Sequence, residues 1–281
     1  MKINTLHNLL STFLISRYLR SLTFLCAILF FGFNGFGQSV TIEDVVATEG
    51  GDLLFTVTFN NAVDIAAFDV TTGYLDVTAT GGGLPLVSPE DYDNGAQTLN
   101  FSGTAGQTLQ FTVTTFDDSI AEGTETFTVN LSSTDLGVDD SDTATGTITD
   151  NDAVGVTVST ISGNTTEAGG TATFTVVLNS QPTANVTIPL SSNDTSEGTI
   201  AVANVIFTAG NWDTPQTITV TGADDAVVDG NVAYTIVTGD VASTDLAYDA
   251  LTAANVADIA VTNTDNDAVG VTVSTISGNT T

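Results

Sequence analysis

Beyond Cys26 the chain has no cysteine, and beyond Arg20 it has no lysine, arginine or histidine. Each absence removes a class of chemistry. Without cysteine there is no disulfide to staple a small extracellular module, so such a module must be held by its apolar core, by a metal, or by both. Without basic side chains nothing neutralises a phosphate backbone, which excludes nucleic-acid binding. Side-chain ion pairs cannot form, and neither nucleophilic triads nor His or Lys acid–base chemistry is available. Acid is abundant instead: all 33 Asp and Glu residues lie from Glu43 onward, and the net charge is −30. Carboxylates are the only chemically active ionisable groups left.

The first 37 residues stand apart. Lys2, His7, Arg17 and Arg20 precede an apolar run from Leu22 to Phe31, and Gly35-Phe36-Gly37 then resembles a small-x-small cleavage site before Gln38. This pattern predicts a signal peptide over residues 1–37. The run is shorter than the roughly 20 residues that cross a bilayer, so no transmembrane span is expected in the mature segment. Leu25 precedes Cys26 where a lipobox needs a small residue. The expected destination is the exterior or surface of a bacterial cell.

Thr149 to Thr166 (TDNDAVGVTVSTISGNTT) recurs letter for letter as Thr264 to Thr281, an offset of 115. Self-similarity at a fixed period marks tandem modules. The expected division is 38–152, 153–267 and the opening of a third module at 268–281, the N-terminal part of a longer array. Phe55, Val57 and Phe59 alternate with polar or smaller residues, as do Leu109, Phe111 and Val113, and Ile218 and Val220. Period-two alternation rich in Thr and Val, broken by Gly, Asn, Asp and Ser, predicts half-buried strands. No helix signal is found after residue 37. About seven strands per module predict an all-β fold of tandem antiparallel β-sandwich modules, Ig-like, in a linear array.

Four carboxylates (Asp117, Asp118, Glu122 and Glu125) fall within nine residues between two alternating runs, and Asp150-Asn151-Asp152 closes the module. Such crowding is unfavourable without a counter-cation, and no Lys or Arg supplies one. A hard cation with a flexible shell of six to eight oxygens meets the need, which favours Ca²⁺ over Zn²⁺ or Mg²⁺. Glu49-Gly50, Asp91-Tyr92, Phe101 with Gly106, Asp117 to Phe127 and Ile148 to Asp152 follow in order. At these residues the chain resembles the Calx-beta family of β-sandwich repeats.

The resemblance implies calcium ligation by Glu49, Asp91, Asp117, Asp118, Glu122, Glu125, Asp150 and Asp152, with the Asn151 amide oxygen and the Ile120 backbone carbonyl contributing. In the second module Glu167 stands for Glu49, Glu197 for Asp91, and Asp224, Asp225 and Asp229 for Asp117, Asp118 and Glu122. Asp265-Asn266-Asp267 closes that module, while Val232 replaces Glu125 and Tyr234 replaces Phe127, so a smaller cluster is expected there. Trp212 reads as a strand-edge packing residue rather than a sugar platform.

Two functions fit this reading. One is a calcium-binding structural or adhesive rod facing an extracellular protein or glycan. The other is a non-catalytic stalk of a secreted enzyme whose catalytic domain lies beyond residue 281. An EF-hand is excluded by the spacing around Asp150, which lacks the D-x-D-x-D-G pattern and the position-12 Glu. Two carboxylates suffice for a glycosidase, but no such pair is marked here, and catalysis is not expected within 38–281.

Overall fold

The computed structural model describes residues 37–82, 90–275 and 277–278. The signal peptide expected at 1–37 lies outside these residues except for its last position. Ten strands come first: β1 (Ser39–Ile42), β2 (Val45–Thr48), β3 (Asp52–Asn60), β4 (Phe68–Asp76), β5 (Gly81–Gly82), β6 (Tyr92–Asp93), β7 (Thr98–Phe101), β8 (Thr108–Thr114), β9 (Glu125–Ser133) and β10 (Thr143–Thr149). Nine follow: β11 (Val156–Val158), β12 (Thr165–Thr166), β13 (Thr171–Leu178), β14 (Val186–Ser192), β15 (Gly198–Ile200), β16 (Asn204–Phe207), β17 (Gln216–Gly222), β18 (Val232–Thr238) and β19 (Ile259–Thr264). The chain divides into two compact units, with β1–β10 in the first and β11–β19 in the second.

In the first unit a sheet of order β1-β3-β8 stands beside one of order β2-β10-β9-β4-β7, with β5 and β6 as a small separate pair. The alternation read from sequence is the burial pattern observed: along β3, Leu53, Phe55, Val57 and Phe59 are buried while the residues between them are exposed or half-buried. Side chains of a strand alternate between its two faces, so one face of each strand meets the core. Aromatic rings fill much of that core. Phe55 stacks on Phe111 with centroids 5.2 Å apart, and Tyr92 stacks on Phe127 at 3.8 Å.

The second unit repeats the plan with orders β11-β13-β17-β15 and β12-β19-β18-β14-β16. Phe174, Ile188, Phe207 and Ile236 are buried in its core. Trp212 packs against this core, as a packing residue does.

Two features depart from a purely antiparallel, helix-free sandwich. β2 pairs parallel to β10, and β12 pairs parallel to β19. The chain pairs β1 with β3 in one sheet, then crosses so that β2 joins the other sheet. The crossing is pinned by Asp142, whose carboxylate accepts from Ile42 N–H at 3.0 Å, and by Asp44, which accepts from Thr145 N–H at 2.7 Å. The second feature is a short helix, α1 (Leu246–Asp249), followed by a 3₁₀ turn (Ala253–Asn255). Asp245 caps α1 by accepting from Ala247 and Tyr248 N–H, which an N-terminal Asp does well. α1 buries Tyr248, whose hydroxyl donates to Ser180 carbonyl oxygen at 2.6 Å. Four residues carry too little periodicity for the sequence to announce them.

Candidate metal centre

The parallel pairs decide where the carboxylates meet. Parallel neighbours end side by side, so the residue after β2 lies next to the residues after β10. Glu49 N–H donates to Thr149 carbonyl oxygen at 2.9 Å, and Glu49, Asp150 and Asp152 form one group of oxygens within 4.8 Å of one another. The second unit repeats the construction. Glu167 N–H donates to Thr264 carbonyl oxygen at 3.1 Å, and Glu167, Asp265 and Asp267 form a matching group.

A second kind of group is set by a bridge across the sheet. Tyr92 pairs with Thr115, so Asp91 comes beside the acidic loop, and Phe116 N–H donates to Asp91 carbonyl oxygen at 2.9 Å. Asp91, Glu122 and Glu125 lie together there. Gly198 pairs with Gly222, and Ala223 N–H donates to Glu197 carbonyl oxygen at 2.9 Å. Glu197 then joins Asp225 and Asp229. Val232 takes the place of Glu125 without leaving this group short, because Asp225 stands in it.

Asp117, Asp118 and Asp224 fall outside these four groups. Asp118 accepts from Ile120 N–H at 2.7 Å, shaping the loop, and Asp224 accepts from the Asn266 side chain at 3.4 Å. Ile120 is half-buried in that loop and Asn151 is exposed after β10.

Electrostatics in the second unit report the crowding. Burial is the largest cause lifting the Asp267 carboxyl above its ordinary 3.8, with the charges of Asp265, Asp224, Asp225 and Asp229 adding to it. Burial likewise lifts Glu197 above 4.5, opposed by a bond from Asn263 and helped by Asp229, Asp194 and Asp225. A bond from Asn266 N–H lowers Glu167, but burial and the charges of Asp265, Asp225 and Asp267 outweigh it, and its pKa is raised. Asp265 goes the other way, held below 3.8 by N–H donors from Asp267 and Gly230.

Whether these residues suit a calcium ion is tested by their unmet needs. Asp267 Oδ2 is buried and has no hydrogen-bond partner. A buried acceptor left unpaired is costly, and in an all-oxygen set with no cationic side chain a hard divalent ion would suit it as a partner. The donor set fits.

Sequence reasoning missed one polar residue beside these groups. Asn263 is 1 % exposed, on an inward position of β19, and its Nδ2 lies 2.9 Å from Ala223 carbonyl oxygen and 3.5 Å from Glu197 Oε2. The signal was an Asn in phase with Ile259 and Val261 on a strand that buries every second residue.

The family model described as the Calx-beta domain matches residues 70–152 and again 149–267. No curated protein matches the chain. Similar solved structures include CBD12 from CALX1.2, at 19 % identity over 73 % of this chain and 82 % of that one, with a TM-score of 0.35. The calcium binding domain CBD12 of CALX1.1 matches at 18 % identity over 72 % of this chain and 80 % of that one, with a TM-score of 0.37. The apo-form Calx CBD1 domain matches at 19 % identity over 41 % of this chain and 99 % of that one, with a TM-score of 0.34. Among the described residues no helix is long and apolar enough to cross a membrane.

Proposed function

The chain belongs to the Calx-beta family, and from that premise we propose that it is a calcium-binding, non-catalytic repeat region whose carboxylate groups lie at the ends of its sandwiches. The observation that carries this reading is Asp267 Oδ2, buried without a hydrogen-bond partner among carboxylates that repel it. A bound calcium ion would supply positive charge, and the carboxylate oxygens of these groups would coordinate it. The residues of the chain do the rest. Parallel pairing of β12 with β19 holds Glu167 against Asp265 and Asp267. The Gly198–Gly222 pairing holds Glu197 against Asp225 and Asp229.

We further infer a structural or adhesive role outside the cell, with calcium stiffening an array of such modules. The signal-like N-terminus, the identical opening at residues 153 and 268, and the lack of cysteine beyond Cys26 support it. The stalk of a secreted enzyme is the second reading, favoured by the same lack of catalytic groups in 38–281. Either way the ion should stabilise the fold. Thermal unfolding of the full chain in chelator, in calcium and in magnesium at matched ionic strength tests this. A melting temperature raised by calcium and not by magnesium supports the reading, and three superimposed curves overturn it.

A further inference from the structure

The two units carry the same backbone frame around different interiors at one spot. In the first, Phe127 lies over Gly146 and stacks on Tyr92, while Ala47 faces Ile148 across the parallel pair. In the second, the equivalent positions hold Tyr234, Val261, Gly198, Thr165 and Asn263. Phe127, Tyr92, Ala47 and Ile148 have given way to Tyr234, Gly198, Thr165 and Asn263, that is, to one glycine space and a buried polar chain, while Gly146 has given way to Val261. Tyr234 hydroxyl and Thr165 Oγ1 are 3.0 Å apart, and Thr165 Oγ1 donates to Asn263 Oδ1 at 3.0 Å. The Asn263 amide then faces Ala223 carbonyl oxygen and Glu197 Oε2. Thr165 is 0 % exposed and Tyr234 3 %.

Room for this chain is made by neighbours. A Cβ on Gly198 would lie 2.2 Å from Tyr234 hydroxyl, and one on Gly222 would lie 2.5 Å from Asn263 Oδ1. Tyr92 and Thr115 stand at those positions in the first unit. Buried polar groups are costly unless fully bonded, and a fully bonded network fixes one arrangement. Because Thr165 already donates to Asn263 Oδ1, Tyr234 must donate to Thr165. Thr165 Oγ1 also lies 3.4 Å from Thr262 carbonyl oxygen, a longer alternative for the same proton, and the Asn263 carboxamide presents its N–H groups towards Glu197 and Ala223.

The geometry points to Asn263 as a positioning residue for the calcium site proposed above. Its carboxamide aims the Glu197 carboxylate at Asp225 and Asp229. Through the β12–β19 pairing it also ties that group to Glu167, Asp265 and Asp267. Groups that orient metal ligands from behind commonly change affinity by about 10- to 100-fold when removed.

This inference rests on the calcium reading, and its test separates the two. Trp212 is the only tryptophan and packs on the core of the second unit, so its fluorescence follows that unit within the full chain. Melts are recorded across a calcium titration for wild type, Asn263→Leu and Tyr234→Phe. A triple variant, Thr165→Ala with Tyr234→Phe and Asn263→Ile, restores the apolar set of the first unit and serves if Asn263→Leu does not fold. Both Asn263 variants should need about tenfold more calcium for half of the stabilisation. Tyr234→Phe should melt lower in chelator and calcium alike, with an unchanged midpoint, because it leaves the amide facing Glu197. Adding Glu197→Gln should weaken calcium binding in wild type and change little in Asn263→Leu. A wild type that responds to calcium beside Asn263 variants with the same midpoint overturns the positioning role alone. A wild type indifferent to calcium overturns both readings.

Discussion

Asp229→Ala gives the most exact test of how the carboxylate groups divide the work. Asp229 is exposed, so truncation removes a charge from the Glu197 group without opening a cavity. The second unit holds two groups, and a ligand that binds only the native state stabilises it by RT ln(1 + [L]/Kd). One ion per group at 100 times its Kd contributes about 2.7 kcal/mol, and two independent groups about 5.4 kcal/mol. A domain of this size gains roughly 4 °C per kcal/mol, so the calcium increment of wild type should be about 20 °C. Asp229→Ala should retain about half of it, since the Glu167 group is intact, and should melt slightly higher than wild type in chelator because one repulsive charge is gone. Trp212 fluorescence isolates the second unit, and the first unit, followed by near-ultraviolet circular dichroism, acts as internal control. A variant that keeps the whole increment would show that the Glu197 group holds no ion, whatever the rest of the chain does.

Three further expectations follow from the same structure. In chelator, the raised pKa values of Glu167, Glu197 and Asp267 mean that the folded state binds protons more tightly than the unfolded one. Stability of the second unit should therefore fall as pH rises from the ordinary 4.5 and 3.8 through the raised values, then level off; a Trp212 melting profile that instead rises over this window contradicts the repulsion argument. Asp265, held low, opposes this only at more acidic pH. Gly146→Ala would place a Cβ 2.3 Å from Phe127 Cζ, with Tyr92 stacked on that ring, so overpacking should destabilise the first unit by about 2–3 kcal/mol. Gly73→Ala, where a Cβ meets nothing within 4 Å, should be neutral or slightly stabilising; equal melting temperatures for the two variants would refute the packing described. Sodium chloride at the ionic strength of the calcium buffer should recover only a small part of the calcium increment, because screening weakens repulsion without occupying a ligand shell. Full recovery would mean an acidic surface and no specific site.

Much of the fold was legible because strands alternate. The inward positions of β3 and β13 are the apolar ones in the sequence, and no other period competes with them. The carboxylates were legible as dense pairs in turn regions. Their partition into groups was not, because it depends on the parallel pairing of β2 with β10, and a four-residue strand such as β2 does not state which strand it joins. Asp117 and Asp118 look equivalent to Glu122 along the chain, yet Asp118 turns back to bond Ile120 N–H. The Asn263 network was hidden for another reason. It is spread over Thr165, Glu197, Tyr234 and Asn263, residues up to 98 apart, and each member taken singly reads as an ordinary strand residue. Only the register brings them together. The helix α1 depends on one Asp cap and one buried Tyr, too short a signal for any periodicity.

Calcium binding itself is the central claim, and titration calorimetry of the chelator-stripped full chain measures it without reference to stability. The account predicts saturable calcium binding at several sites, with magnesium at the same ionic strength giving little heat and failing to displace the calcium. A titration indistinguishable from buffer, or one that magnesium reproduces, would contradict it.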